Sequence, residues 1–387
     1  MKVAVLGAGN GGQAMAAYLA LKGAKVNLYN RSPDRYAAIK EIGGIKLSGL
    51  CNGFGKLNTV TNRIELAIQD TDLIMVVTPA VAHRFLARKM APYLRDGQVI
   101  ILNPGRTGGA LEFYNELLKH NCQADIAIAE TQTFLFASRI IGPAEARIYG
   151  IKEKVFIASF PSKKIWDFID DIQEFLPQFI PVENVLKTSL DNIGAIFHPA
   201  PTLLNMAWIE SPEDFHFYQQ GISPSICRIL EKMDQERMEV AYAFGIDPLS
   251  AKEWLRLSYG IKGRTLYELI QNNKQYKGIL APGTINHRYV FEDVPMSLVP
   301  IASLARVCKV ETPTIDMVID LANIVYQKDF RAEGRTVKTL GLEGLSSREI
   351  LELVNKGYRQ RKSLNKGFSF GFVKKLGDII SLGDVNS

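Results

Sequence analysis

Two short segments hold the residues best suited to moving a proton and gripping an anion. The chain has five histidines among 387 residues, and histidine is the side chain that titrates near neutral pH. Four have ordinary surroundings. His83 follows a Thr-Pro loop, His120 ends a predicted helix, His216 lies among aromatics and His287 precedes an arginine. His198 differs. It stands in Asn192-Ile-Gly-Ala-Ile-Phe-His198-Pro199-Ala-Pro201, within a predicted helix that also carries Asn205 and that Thr188 or Ser189 could cap. Two prolines must break or kink that helix. A kink frees backbone groups and can aim a side chain into a cleft, so His198 is the candidate acid/base, with a packed core histidine as the alternative. The second segment is His287-Arg288-Tyr-Val-Phe-Glu292-Asp293-Val-Pro295, expected as a loop feeding a helix near Met296. Arg288 offers a planar fork that matches a carboxylate. Asp293 could hold one imidazole nitrogen, fixing its tautomer and raising its basicity. Surface pairing of Arg288 with Asp293 is the competing reading.

The elements that must position these residues begin at the N-terminus. Val3, Val5 and Leu6 form a short apolar strand, followed at once by Gly7-Ala-Gly9-Asn10-Gly-Gly12, an Ala/Leu-rich helix and a second strand, Lys25 to Asn30. That order is what a dinucleotide-binding unit needs. Gly7 permits the tight turn, Gly9 lets the backbone approach a pyrophosphate, and Gly12 lets the helix pack on the strand. The helix N-terminus offers free N–H groups to the phosphates. At the end of the second strand NAD sites usually carry an acid that bonds the ribose 2′-OH. Here the residues are Asn30, Arg31 and Ser32. Arg31 can stack on adenine and pair with a 2′-phosphate, which favours NADP(H). NAD(H) stays open because Asp34 lies one turn further on.

Further buried strands (72–78, 98–103, 125–130) alternate with helices, the pattern of a mostly parallel, doubly wound sheet. Ligands sit at the carboxyl ends of such strands, so Thr78-Pro79, Asn103 and Gly105 are expected near the ribose and nicotinamide. From residue 185 the pattern becomes helical. The expected organisation is an α/β Rossmann domain (1–186), an all-α substrate domain (187–355) and a basic tail rich in Gly, Phe and Lys (356–387). The tail carries seven Lys/Arg against two Asp/Glu, so it holds five of the six net positive charges. The body is near neutral and has no nucleic-acid-binding motif. No apolar run reaches the length of a membrane helix. The four cysteines (Cys51, Cys122, Cys227, Cys308) lack metal-ligand or redox spacing, so no metal is expected and a reducing, cytoplasmic location is.

Over residues 1 to about 357 the chain resembles the opine dehydrogenases of the octopine/nopaline type. The resemblance rests on Gly7 to Gly12, on Asn103-Pro-Gly-Arg-Thr-Gly-Gly109, on Glu130-Thr-Gln-Thr and, most specifically, on the Asn192/His198-Pro199/Asn205 and Arg288 to Pro295 segments. It implies a Rossmann domain followed by a helical domain. It also implies an NAD(P)H-dependent condensation of an amino acid's amine with an α-keto acid, through an imine. By that resemblance His198 is the catalytic acid/base, Asp293 its partner, Arg288 the carboxylate binder, and Asn192 and Asn205 further substrate contacts. Small-molecule substrates are then the expected partners, with a homodimer left open. Two alternatives stand beside it. One is a reductase of a simple 2-keto or 3-hydroxy acid, of the ketopantoate reductase or glycerol-3-phosphate dehydrogenase kind. Those use an early lysine in the helical domain, for which Lys187 is the nearest candidate. The other is a non-catalytic NADP-binding protein.

Overall fold

Glycine at two positions decides how the N-terminal turn closes. In the computed structural model, which describes residues 1–358, Gly7 has φ +113° and a Cβ there would sit 2.5 Å from the Val77 carbonyl oxygen. A Cβ on Gly12 would sit 1.7 Å from the Gly7 carbonyl oxygen. Only glycine fits either place. The turn joins β1 (Lys2–Leu6) to the helix Asn10–Leu21, which returns the chain to β2 (Lys25–Tyr29). After it come β3 (Gly44–Gly49), β4 (Gly53–Lys56), β5 (Thr59–Thr61), β6 (Leu73–Val76), β7 (Val99–Leu102) and β8 (Ala127–Thr131). The remaining strands are β9 (Phe136–Gly142), β10 (Glu145–Ile151), β11 (Val155–Phe160) and β12 (Phe179–Pro181).

The main sheet runs β12-β11-β8-β7-β6-β1-β2-β5. Its pairs are parallel, with Val3 opposite both Val26 and Leu73, except that β11 lies antiparallel to β8. Val3 to Leu6, Leu73 to Val76 and Ile100 to Leu102 are fully or almost fully buried, as strands covered by helices on both faces must be. The sequence reading left residues 134–153 unassigned. They form the β9–β10 hairpin, which joins the β3–β4 hairpin in a second sheet ordered β4-β3-β10-β9. This sheet packs on the Asn10–Leu21 helix: Tyr18 meets Phe136 with ring centroids 5.1 Å apart. Asn10 ties it to the glycine turn, its side-chain oxygen accepting from Ile140 N at 2.9 Å.

From Val185 the chain is helical. Ser223 caps the helix Pro224–Ala243 by accepting from Ile226 N, with Pro224 in its first turn, and Pro313 opens Pro313–Tyr326. The helix expected across 188–205 is instead three pieces, Val185–Leu190, Gly194–Phe197 and Pro199–Leu204. Pro199 has no N–H to continue the preceding turn and starts a new one. Thr188 and Ser189 cap nothing. Both hydroxyls donate to Glu130 Oε1, at 2.7 and 2.8 Å. The segment expected as a loop at 287–295 is a short helix, Arg288–Phe291, followed by a π-turn, Val294–Leu298. The last of the described helices, Ser347–Lys356, ends at the start of the expected tail. The rest of that tail lies outside the described residues, and none of the described helices is long and apolar enough to cross a membrane.

Two buried ions join the halves. Glu130 Oε2 also accepts from Ala110 N at 2.7 Å. Arg335, fully buried, bonds Glu112 Oε2 at 2.7 Å, the Gly105 and Thr107 carbonyls at 2.8 and 3.0 Å, and His83 Nδ1 at 3.1 Å. His83 is thus an acceptor at Nδ1 and neutral. Burial, with Arg335 beside it, pulls its pKa from 6.5 to about 3. Between those pH values the unfolded chain takes a proton that the folded chain refuses, so stability falls as pH drops through that window. Denaturant unfolding at stepped pH checks this. His83→Asn keeps an acceptor for Arg335 and should flatten the slope between about pH 6 and 4 by up to one proton. An unchanged slope would refute the assignment.

Candidate active site

His198 owes its position to the proline break. It lies between the helices Gly194–Phe197 and Pro199–Leu204, and its carbonyl accepts from Thr202 Oγ1 at 2.8 Å. Its Nδ1 is 2.8 Å from Asp293 Oδ2, and its ring stacks on Tyr289, centroids 4.2 Å apart and 12° from parallel. With Nδ1 bonded to a carboxylate, Nε2 is the nitrogen left for a ligand.

Asp293 is fully buried and shares a cation with its neighbour Glu292. Arg106 Nη1 lies 3.0 Å from Asp293 Oδ1, and Arg106 Nε lies 3.3 Å from Glu292 Oε1. Burial opposes all three charges. Arg106, Arg288 and the Ala80 N–H outweigh it at Glu292, whose carboxyl falls to about 2. The two acids in turn hold Arg106 firmly charged. Arg106 adopts φ +60°, and its guanidinium needs the space beside Gly194, where a Cβ would stand 2.5 Å from Nη1. Asn192 acts on the same group indirectly. It donates to Ser297 Oγ at 2.8 Å, and Ser297 reaches Asp293 Oδ1 at 3.4 Å.

These groups open on a cavity of about 710 Å³. Gly9, Asn10, Thr78, Pro79 and Asn103 line one side, and Asn192, His198, Tyr218, Trp254 and Arg288 another. The first side fits a dinucleotide. A Cβ on Gly9 would meet nothing within 4 Å, so the turn faces open space. Thr78 Oγ1 and Asn103 Oδ1 are buried without a hydrogen-bond partner among the described residues, as a ribose or carboxamide site requires. Arg288 is half exposed, its Nε 3.8 Å from Glu292 Oε2, and so remains free to meet an anion. Arg31 is exposed, 5.8 Å above the Phe85 ring. Asn30 is occupied: its oxygen accepts from Ala8 N at 3.0 Å and its amide donates to the Ser32 carbonyl.

Several expected contacts stand off the cavity wall. Gly7 and Gly12 shape the turn from behind. Gly105 stands against Glu130, whose Oε2 a Cβ there would approach to 2.4 Å. Asn205 spends its amide on the Pro201 and Gly221 carbonyls, at 2.7 and 2.8 Å. Lys187 is sealed in an ion pair with Asp191 at 2.7 Å. Sequence reasoning missed Arg106, Glu292 and Tyr289, although Arg106 lies inside the Asn103–Gly109 motif.

A dinucleotide turn facing a His–Asp pair across one cavity is the arrangement of an NAD(P)-dependent oxidoreductase. A family model described as "NAD/NADP octopine/nopaline dehydrogenase, alpha-helical domain" matches residues 181–326, and one for ketopantoate reductase matches residues 3–119. The chain is 44% identical over 352 residues to the opine dehydrogenase of Arthrobacter sp. (strain 1C), covering 91% of this chain and 98% of that one. The fold matches an octopine dehydrogenase solved with NADH and L-arginine (TM-score 0.78, 21% identity, 94% of this chain and 100% of that chain). It also matches a yersinopine dehydrogenase with NADP+ bound (TM-score 0.68, 15% identity, 93% and 99%). The chain belongs to the opine dehydrogenase family and is an NAD(P)H-dependent opine dehydrogenase, an oxidoreductase acting on CH–NH groups.

Replacing Arg106 by methionine leaves two buried carboxylates with no cation between them. We expect the Arg106→Met protein to lose about 3–5 kcal/mol of unfolding free energy, read from urea titrations at pH 7. A loss below about 1 kcal/mol would show that the two acids do not depend on this guanidinium.

Proposed function

We propose that the reaction is the NADPH-dependent joining of an apolar amino acid to a short α-keto acid, with His198 as acid/base. The observation that carries this is the His198–Asp293 bond of 2.8 Å on the wall facing the glycine turn. When bound, the nicotinamide supplies a hydride. Arg288 pairs with the keto acid's carboxylate and orients its carbonyl carbon. The amine attacks that carbon, and the carbonyl oxygen leaves as water after taking a proton from His198 Nε2. Asp293 accepts from Nδ1–H and stabilises the imidazolium that donates from Nε2. The imine carbon then accepts hydride, giving a secondary amine with two carboxylates. In reverse His198 is the base.

The amine's side chain is assigned from the wall around it. Tyr218 and Tyr276 stack with centroids 4.0 Å apart, and Tyr259 meets Tyr276 and Trp254 edge-on at 5.5 Å each. The two acids on the cavity wall, Asp191 and Glu292, are already paired with Lys187 and Arg106. Such a surface suits an apolar or aromatic side chain, and among the described residues no free acid remains there to pair a cationic one. NADPH is favoured over NADH because Arg31 is an exposed cation and no acid ends β2. In this reading residues 1–186 hold the cofactor and 187–355 supply most of the substrate contacts. The four free cysteines fit a cytoplasmic enzyme.

The test is NADPH oxidation with pyruvate, with and without a panel of amino acids. Turnover should need both substrates and be greatest with apolar amines, and His198→Ala should lower kcat by about 10²–10⁴-fold with NADPH affinity held. Turnover by keto acid alone, or an unaffected His198→Ala enzyme, would sink the reading. In a separate titration Arg31→Ala should weaken NADPH by about tenfold or more while sparing NADH. Equal losses for the two cofactors would count against the phosphate role.

A further inference from the structure

The product proposed above carries two carboxylates, and Arg288 accounts for one. The cavity wall holds three other cations: Arg106, Arg139 and Lys152. Arg106 is committed to Glu292 and Asp293. Arg139 is exposed and donates to the Ser138 carbonyl. Lys152 follows β10, and its backbone N–H is fixed on the Leu135 carbonyl at 3.1 Å. Its ammonium donates to the Phe134 carbonyl at 2.6 Å. Among the described residues no carboxylate lies within ion-pair distance of it. Burial alone acts on it, lowering its pKa to about 8, the response of a cation with no counter-charge.

We propose that Lys152 binds the carboxylate that the amino acid brings to the reaction. The inference rests on the two-substrate reading. Arg288 sits on the short helix that also carries Tyr289, whose ring stacks on His198, so the carboxylate next to the carbonyl that His198 protonates belongs to Arg288. The other carboxylate then needs a cation on a different wall, and Lys152 stands on the β9–β10 side of the cavity. The cofactor's pyrophosphate is a weaker occupant. It is served by the helix N-terminus at Asn10. Phe134 sets its ring against Gly11, where a Cβ would come within 2.8 Å of it, and gives Lys152 only its carbonyl. A carboxylate at Lys152 supplies the missing counter-charge, and removing a charge-assisted bond of this kind costs on the order of 10- to 100-fold in affinity.

The test compares wild type, Lys152→Met and Lys152→Arg with L-phenylalanine, pyruvate and NADPH. The inhibitor is 2-phenylethylamine, the same amine without its carboxylate, competing with L-phenylalanine. In Lys152→Met the KM for L-phenylalanine should rise about 10- to 100-fold, with partial recovery in Lys152→Arg. The Ki of 2-phenylethylamine, the KM for pyruvate and the NADPH Kd should stay within about twofold. That pattern also shows the Met variant folded. An unchanged KM for L-phenylalanine, an equal weakening of 2-phenylethylamine, or a rise confined to pyruvate or to NADPH would each overturn the assignment. Wild-type turnover of pyruvate without any amine would overturn the two-substrate reading itself.

Discussion

One guanidinium carries the organisation of the site. Arg106 stands between two acids adjacent in sequence and both buried, and neither could stay charged there alone. The arrangement also aims Asp293: one oxygen faces Arg106 and the other faces His198. Arg106 is itself held. Its left-handed backbone is flanked by the Gly105 and Thr107 carbonyls, and both accept from Arg335. A chain of dependence therefore runs from the C-terminal part of the fold, through the loop after β7, to the imidazole. Gly194 is a condition of the same geometry, because any side chain there takes the room the guanidinium uses.

Glu130 fixes the other coordinate of the cavity. It lies near the end of β8 and gathers Ala110 N, Thr188 Oγ1 and Ser189 Oγ, so the sheet edge and the first helical segment share one buried acceptor. Gln132 adds a bond to the Asp191 carbonyl at 3.2 Å. Leaving any of these donors unpaired in the interior is unfavourable by roughly 1–3 kcal/mol. The strand ends and the histidine thus face each other across a fixed gap.

How much of this was legible in the sequence varies with the range of the interaction. The glycine turn, the buried strands and the change to helix near residue 185 are local and were readable from spacing and residue type. His198, Asp293 and Arg288 stood out in the sequence because their chemistry is distinctive and their segments carry the family resemblance, and the structure brings them to one region. Arg106 was not, because its partner Glu292 is 186 positions away and a positive φ at a non-glycine leaves no mark in residue type. The second sheet was missed for a similar reason: its hairpins come from residues 44–56 and 136–151 and are hydrogen-bonded only through β3 and β10. The bonds of Asn205 were not legible, because an asparagine that satisfies two backbone carbonyls looks, in sequence, like one that faces a ligand.

The site divides its work between held and free parts. Tyr289 covers one face of His198 and meets Phe217 at 5.1 Å, so the imidazole is packed as well as bonded. A packed ring beside a buried acid has little freedom to rotate, which keeps Nε2 aimed at one point and keeps bulk water from Nδ1. Arg288, on the same short helix, is half exposed and only 3.8 Å from its nearest acid. Proton transfer tolerates little misplacement, whereas a half-exposed guanidinium can move to meet a carboxylate before its planar fork engages. Under the proposed roles, the rigid group stands where the bond changes occur and the loose one where the substrate arrives. Arg288 and Tyr289 are neighbours on one turn, so the residue that packs the imidazole and the proposed carboxylate binder are positioned together.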